Sequence, residues 1–127
     1  MNIWLSVLAG GALGSLGRYL FATQIGQWLP DLRFPIGTLA VNVIGCAIAG
    51  ALVEVFAQVW VPSSEARAFL VVGVLGGFTT FSAFSIDTFF LIERGAVLLA
   101  AAYIVGSVLI SLVAFFAAQA LLRLILT

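Results

Sequence analysis

Lysine and histidine are both absent from these 127 residues, and cysteine occurs once, as Cys46. Without histidine and with a single thiol, the usual zinc ligand sets cannot form and no disulfide can close within the chain. The same gaps remove the common bases that activate a serine or cysteine nucleophile, so an enzyme is not expected. Charge is scarce as well: five arginines face five acids, the formal net charge is zero, and charged residues make up 8% of the chain. No basic run is available to follow a phosphate backbone, which argues against nucleic acid as a partner. No Gly-x-x-x-x-Gly-Lys phosphate loop occurs either, so transport driven by nucleotide hydrolysis is not indicated.

What fills the chain instead is apolar: 64% of the residues are hydrophobic, against roughly half in soluble domains that also carry about a quarter charged residues. The apolar stretches recur along the whole length, so residues 1–127 read as a single transmembrane domain. The three prolines, Pro30, Pro35 and Pro62, fall between these stretches and mark loops around Gln27–Phe34 and Trp60–Arg67. Glu93-Arg94-Gly95 makes the third boundary. Four spans follow, at about 3–22, 36–57, 68–92 and 96–122, each near or above the roughly 20 residues that cross a hydrocarbon core. No alternation of polar and apolar residues suggests barrel strands. The first stretch lacks a basic leader and is too long for a signal-peptide core, so it reads as a retained helix. Trp4, Trp28 and Trp60 lie at span ends, where indole favours the interface. The fold class expected is an all-α integral membrane protein of four transmembrane helices.

Four spans place Arg33 and Arg94 on one side of the bilayer and Arg67 and Arg123 on the other. Because an excess of Lys and Arg in short loops sets insertion direction, this balance predicts insertion in both directions and permits antiparallel homodimers; a charge-poor chain with weak bias is the plainer reading. Four helices are also few to enclose a pore. Gly10 and Gly14, Gly45 and Ala49, and Gly73 and Gly77 are spaced four apart, as in faces where helices approach closely in lipid. That spacing serves packing within one subunit or between two.

Polar groups inside spans must be paired or hydrated. Thr38 and Asn42 share one face of the second helix, and Tyr103, Ser107 and Ser111 repeat every four residues on the fourth. Single hydroxyls usually bond back to their own helix; an amide, a phenol and two serines in register can instead donate hydrogen bonds to an anion. In the third span, Gly76-Gly77-Phe78-Thr79-Thr80-Phe81-Ser82-Ala83-Phe84-Ser85 combines paired glycines with β-branched threonines and predicts a helix broken near mid-membrane. Free carbonyls at such breaks often hold a cation. Phe78, Phe81 and Phe84 recur every three residues, a spacing common in packing, but phenyl edges carry positive potential that suits a small anion. Arg18, Glu54 and Asp87 are the charges nearest the hydrocarbon, and their places near span ends favour anchoring or pairing, for instance of Arg18 with Asp87, over proton relay.

The segments Gly11-Ala-Leu-Gly-Ser-Leu-Gly-Arg18, Gly37-Thr-Leu-Ala-Val-Asn42 and Gly76-Gly-Phe-Thr-Thr-Phe-Ser-Ala-Phe-Ser85 resemble the signature stretches of the Fluc (CrcB) fluoride channels, in order along the chain. The resemblance implies an antiparallel dual-topology homodimer in the cell (inner) membrane, with two fluoride pathways, each lined by both subunits, that release fluoride passively and relieve its toxicity. It further implies that Phe81 and Phe84 are the pore phenylalanines, with Asn42 as an amide donor beside them. Tyr103, Ser107 and Ser111 become the polar track, and Thr38 and Thr80 join the pathway. Carbonyls of Gly76 and Thr79 from both chains would hold a structural Na+ at the dimer interface. Arg18 matches the family's first-helix arginine, assigned to the vestibule, and Asp87 stands where the family carries Glu. Fluoride, a second copy and the lipid bilayer are thus the expected partners.

Two other functions fit parts of the chain. A small multidrug or guanidinium exporter is also four-helical, but it needs an acid in the first span, and Ile3–Ala22 has none. A scaffold subunit that transports nothing would use the glycines and leave the aromatic and hydroxyl stripes idle.

Overall fold

The computed structural model describes residues 2–30 and 33–127, so part of the loop expected over Gln27–Phe34 lies outside the described residues. Among the described residues, four helices are long and apolar enough to cross a membrane: Ile3–Trp28, Ile36–Gln58, Ser64–Glu93 and Val97–Leu126. We label the uninterrupted helical pieces α1 (Ile3–Trp28), α2 (Ile36–Gln58), α3 (Ser64–Arg67), α4 (Gly76–Phe78), α5 (Phe81–Glu93) and α6 (Val97–Leu126), with α3 to α5 making up the third span.

Local chemistry explains where each piece starts and stops. Asn2 caps α1, its side-chain oxygen accepting the Trp4 N–H at 2.7 Å. The helix then runs past the apolar stretch through Thr23, Gln24 and Gln27, because polar side chains alone do not end a helix. It ends where Leu29, the residue before Pro30, leaves helical geometry (φ −129°, ψ 59°). Ser63 caps α3 through the Ala66 N–H at 3.1 Å. The third span closes at Gly95, which has φ 83°. There the Gly95 N–H reaches the Ile92 carbonyl at 3.0 Å and the Ala96 N–H reaches Leu91 at 2.8 Å, a Schellman ending that requires the left-handed conformation glycine tolerates.

Between α3 and α4 the backbone widens into a π-helical stretch over Ala68–Leu75, with the Gly76 N–H reaching back five residues to the Val71 carbonyl. Between α4 and α5, Thr79 (φ −86°, ψ 156°) and Thr80 (φ −151°, ψ 121°) are extended, and Thr80 caps the helix that follows.

Pairing of the spans places the site. The fourth span packs most extensively on α2, and α1 packs on the π-helical stretch and α4. The second contact is backbone on backbone: a Cβ added at Gly73 would come within 2.7 Å of the Gly10 Cα, and one at Gly77 within 2.8 Å of the Gly11 carbonyl. The Gly10, Gly14, Gly73 and Gly77 spacing therefore serves packing within one chain. Gly11 has nothing within 4 Å of its added Cβ. Tyr103, Leu91 and Ala100 form the buried core, with Phe34, Leu39 and Phe84 packed around them. Most other large apolar side chains are exposed, Leu98 at 87% for example, as expected of a surface that meets lipid or another subunit.

The charges are disposed economically. Glu54 is 2% exposed and joins α2 to α6, accepting from Gln119 at 2.7 Å and from Arg123 at 3.1 Å, with Gln58 as a further donor. Buried carboxylates are tolerable only when paired in this way. Arg18 and Asp87 do not pair with each other: Arg18 bonds the Gly77 carbonyl and Asp87 bonds Tyr103.

Candidate functional site

The extended Thr79–Thr80 segment turns backbone groups away from helical bonding, and in lipid each unpaired group costs several kcal/mol. Asn42 on α2 meets that need. Its Oδ1 accepts the Thr80 N–H at 2.7 Å and its Nδ2 donates to the Thr80 carbonyl at 3.0 Å. The carboxamide thus pairs with Thr80 in both directions, much as a neighbouring strand would, and one of its two N–H groups remains over. Thr80 Oγ1 accepts the Ala83 N–H at 3.0 Å, and Thr79 Oγ1 donates back to Leu75 at 2.9 Å. With the Thr80 and Ala83 amides so engaged, the bonds that a continuous helix would make to the Gly76 and Thr79 carbonyls are not formed.

Beside this segment lies a groove of about 330 Å³. From α2 it is lined by Asn42 and Cys46, from the third span by Thr79, Thr80, Phe81 and Phe84, and from α6 by Ser107, Val108, Ser111 and Leu112. The structure brings together Asn42, Thr80, Phe81, Phe84, Ser107 and Ser111 from the residues singled out in the sequence. Thr38 and Tyr103 are not on its wall. Tyr103 is fully buried and packs against Phe84 at 5.0 Å and Phe34 at 5.3 Å between ring centres. Its hydroxyl donates to Asp87 Oδ2 at 3.1 Å, and Asp87 in turn lines a second hollow of about 230 Å³ with Arg33, Phe34 and Arg94. Tyr103 therefore stands between the two spaces. Arg18 lines neither.

Hydrogen bonding sorts the hydroxyls. Ser85 and Thr88 bond back to the Phe81 and Phe84 carbonyls at 3.0 and 2.8 Å, the ordinary structural use of a hydroxyl in a helix. Ser107 Oγ, by contrast, is buried and has no partner among the described residues, leaving a donor uncommitted at the groove. Phe81 and Phe84 lie 5.3 Å apart with planes inclined by 56°, and Phe81 is 77% exposed. The groove thus combines two phenyl rings with hydroxyls and an amide, and no charged side chain lines it.

Cys46, four residues from Asn42 on α2, also belongs to the wall, and that spacing is its signal in the sequence. Val108 and Leu112 follow Ser107 and Ser111 directly and were hidden by being apolar among apolar neighbours.

Known proteins match the chain over nearly its whole length. The model of the CrcB-like protein family, described as camphor resistance (CrcB), matches residues 5–119. A protein of Rhodospirillum centenum named fluoride-specific ion channel FluC is 50% identical over 123 residues, covering 97% of each chain. Proteins of the same name from Nitrobacter winogradskyi and Agrobacterium fabrum are 51% and 52% identical, covering 95% and 92% of this chain and 95% and 93% of their own.

Proposed function

Because the chain belongs to the CrcB family, we propose that it is a fluoride-selective channel of the cell (inner) membrane, not an enzyme, and that it lets fluoride leave the cytoplasm passively and so relieves fluoride toxicity. The observation that carries this reading is the uncharged groove, whose lining joins two phenyl rings with hydroxyls and an amide.

Fluoride holds its water tightly, so a pathway must replace that water with donors and still let the ion go. Ser107, Ser111, Thr80 and the spare Asn42 N–H supply neutral donors, and the rims of Phe81 and Phe84 supply weak positive potential. A guanidinium at the narrowest point would hold the ion too firmly, and none lines the groove. Tyr103, with Thr38 one turn from Asn42, continues the polar track toward Asp87. Hydrogen fluoride that enters in acid surroundings dissociates inside, and a negative membrane potential drives the anion outward without nucleotide.

The working unit in this reading is an antiparallel homodimer of the single transmembrane domain, with the break of the third span near mid-membrane. Two features support it: the arginine balance across the spans, and the exposure of Phe81, which leaves the groove open on a side that a second copy can close. The uncommitted carbonyls of Gly76 and Thr79 fit a hard monovalent cation, since they are neutral oxygen donors at a break. Na+ held there would neutralise carbonyl dipoles between two copies. Labelling of a cysteine introduced beside Arg33 with a membrane-impermeant thiol reagent, before and after cells are permeabilised, reports orientation; reaction of one fraction from outside and of the rest only after permeabilisation is the expected result, and one side alone rejects the dimer.

Purified protein in liposomes, with a fluoride electrode outside, tests the function itself. Under a potassium-diffusion potential fluoride is expected to leave rapidly while chloride stays trapped. Efflux of neither ion, or substrate-coupled proton movement, rejects the channel.

A further inference from the structure

We propose that Arg18 is a positioning residue: its Nε–H, more than its charge, holds the Gly77 carbonyl and thereby aims the aromatic segment that begins four residues later. This rests on the reading of the groove as the fluoride pathway.

The geometry is specific. Arg18 Nε donates to the Gly77 carbonyl at 3.0 Å across 59 residues of sequence. In an unbroken helix that carbonyl would accept the amide of Phe81, but the extended Thr79 and Thr80 carry the chain away from it. Arg18 thus fills a vacancy that the break itself creates. On the other flank Asn42 pairs with Thr80 through both its oxygen and its nitrogen. The segment is therefore gripped by its backbone from α1 on one side and α2 on the other. Phe81 opens the helix directly after the gripped residues, so the direction of α5, and with it the placement of Phe81 and Phe84, depends on both holds.

Several observations favour a hydrogen-bonding role over an electrostatic one. Arg18 lines neither hollow, is half-buried, and has no carboxylate within ion-pair distance among the described residues. The atom that does the bonding is Nε, which lies the same number of bonds from the backbone as the amide nitrogen of glutamine. Lysine keeps the charge but carries its nitrogen one atom further out.

That difference gives the test. Arg18→Gln, Arg18→Lys and Arg18→Leu are compared in liposome fluoride efflux, in fluoride-over-chloride discrimination, and in amide hydrogen exchange over residues 79–84. Loss of a hydrogen bond to a charged donor shifts the held-to-released balance by about tenfold or more. The expected result is Arg18→Gln within about threefold of wild type, with Arg18→Leu and Arg18→Lys both slower in efflux by about tenfold, less selective, and faster in exchange. Should Arg18→Leu fail to assemble, the Gln and Lys variants, both long and polar, decide the matter. Full function in Arg18→Lys with loss in Arg18→Gln would assign the role to charge and overturn the proposal, as would three variants indistinguishable from wild type. If wild type releases no fluoride, the pathway reading fails, while the exchange rates still report whether Arg18 holds the segment.

Discussion

Replacing Asn42 by alanine removes the one side chain that satisfies both backbone groups of Thr80. The bonds are 2.7 and 3.0 Å long, and each group left unpaired in a poorly hydrated place costs about 1–3 kcal/mol. The sum is about 2–6 kcal/mol, and the open side of the groove, which admits some water, moves the expectation to the lower half of that range. Cys46→Ala, one turn along the same wall, removes a thiol with no such partner and is the control, expected to cost about 1 kcal/mol or less. Thermal unfolding in detergent, read by loss of the assembled species on size exclusion, gives the stability order, and liposome efflux gives the flux. Asn42→Ala should melt well below both wild type and the control and should lose fluoride selectivity along with rate, because α5 is no longer held. Wild-type melting and wild-type selectivity in Asn42→Ala would refute the reasoning, since the amide would then be neither a splint for the break nor a donor to the ion.

Phe84→Ile is expected to assemble normally and to slow fluoride by about twofold to tenfold, the loss of one ring-edge contact of about 0.5–1.5 kcal/mol, checked by efflux at matched protein density. Ser107→Ala breaks no existing bond, so unfolding should shift by no more than about 0.5 kcal/mol, while efflux falls severalfold; equal flux would show that the free hydroxyl is idle. Gly10→Ala drives a methyl into the Phe69 carbonyl and to 3.0 Å from the Gly73 Cα and should destabilise by about 1–3 kcal/mol. Gly11→Ala, its outward neighbour, should be near neutral in the same melting assay.

Some of this architecture is written in short-range pattern. Composition, the prolines and Gly95 mark four helices, and the paired glycines before Thr79 and Thr80 mark the place where the third span departs from a helix. The serine ladder of α6 and the phenylalanine spacing of α5 are each visible as stripes on their own helices. What joins them is not. Asn42 meets Thr80 across 38 residues and Arg18 meets Gly77 across 59, and no local spacing foretells which polar group will pair with which interrupted backbone. Charge invited the idea of an Arg18–Asp87 pair, but the broken helix offered Arg18 a bare carbonyl and Tyr103 offered Asp87 a hydroxyl. The π-helical stretch over Ala68–Leu75 likewise has no signature in its apolar sequence; it comes with the tight crossing of Gly73 on Gly10. Small residues suggested close helix contact without naming the partner, and only the packed chain shows Gly10 and Gly14 turned inward and Gly11 outward.

Neutral donors and phenyl rims that select fluoride over larger halides must show themselves in the reversal potential across a planar bilayer holding the protein, with fluoride on one side and chloride on the other. The expected potential is set by fluoride alone, shifting with the fluoride gradient and indifferent to chloride. A reversal near zero under equal fluoride and chloride, or one that follows chloride, would contradict it.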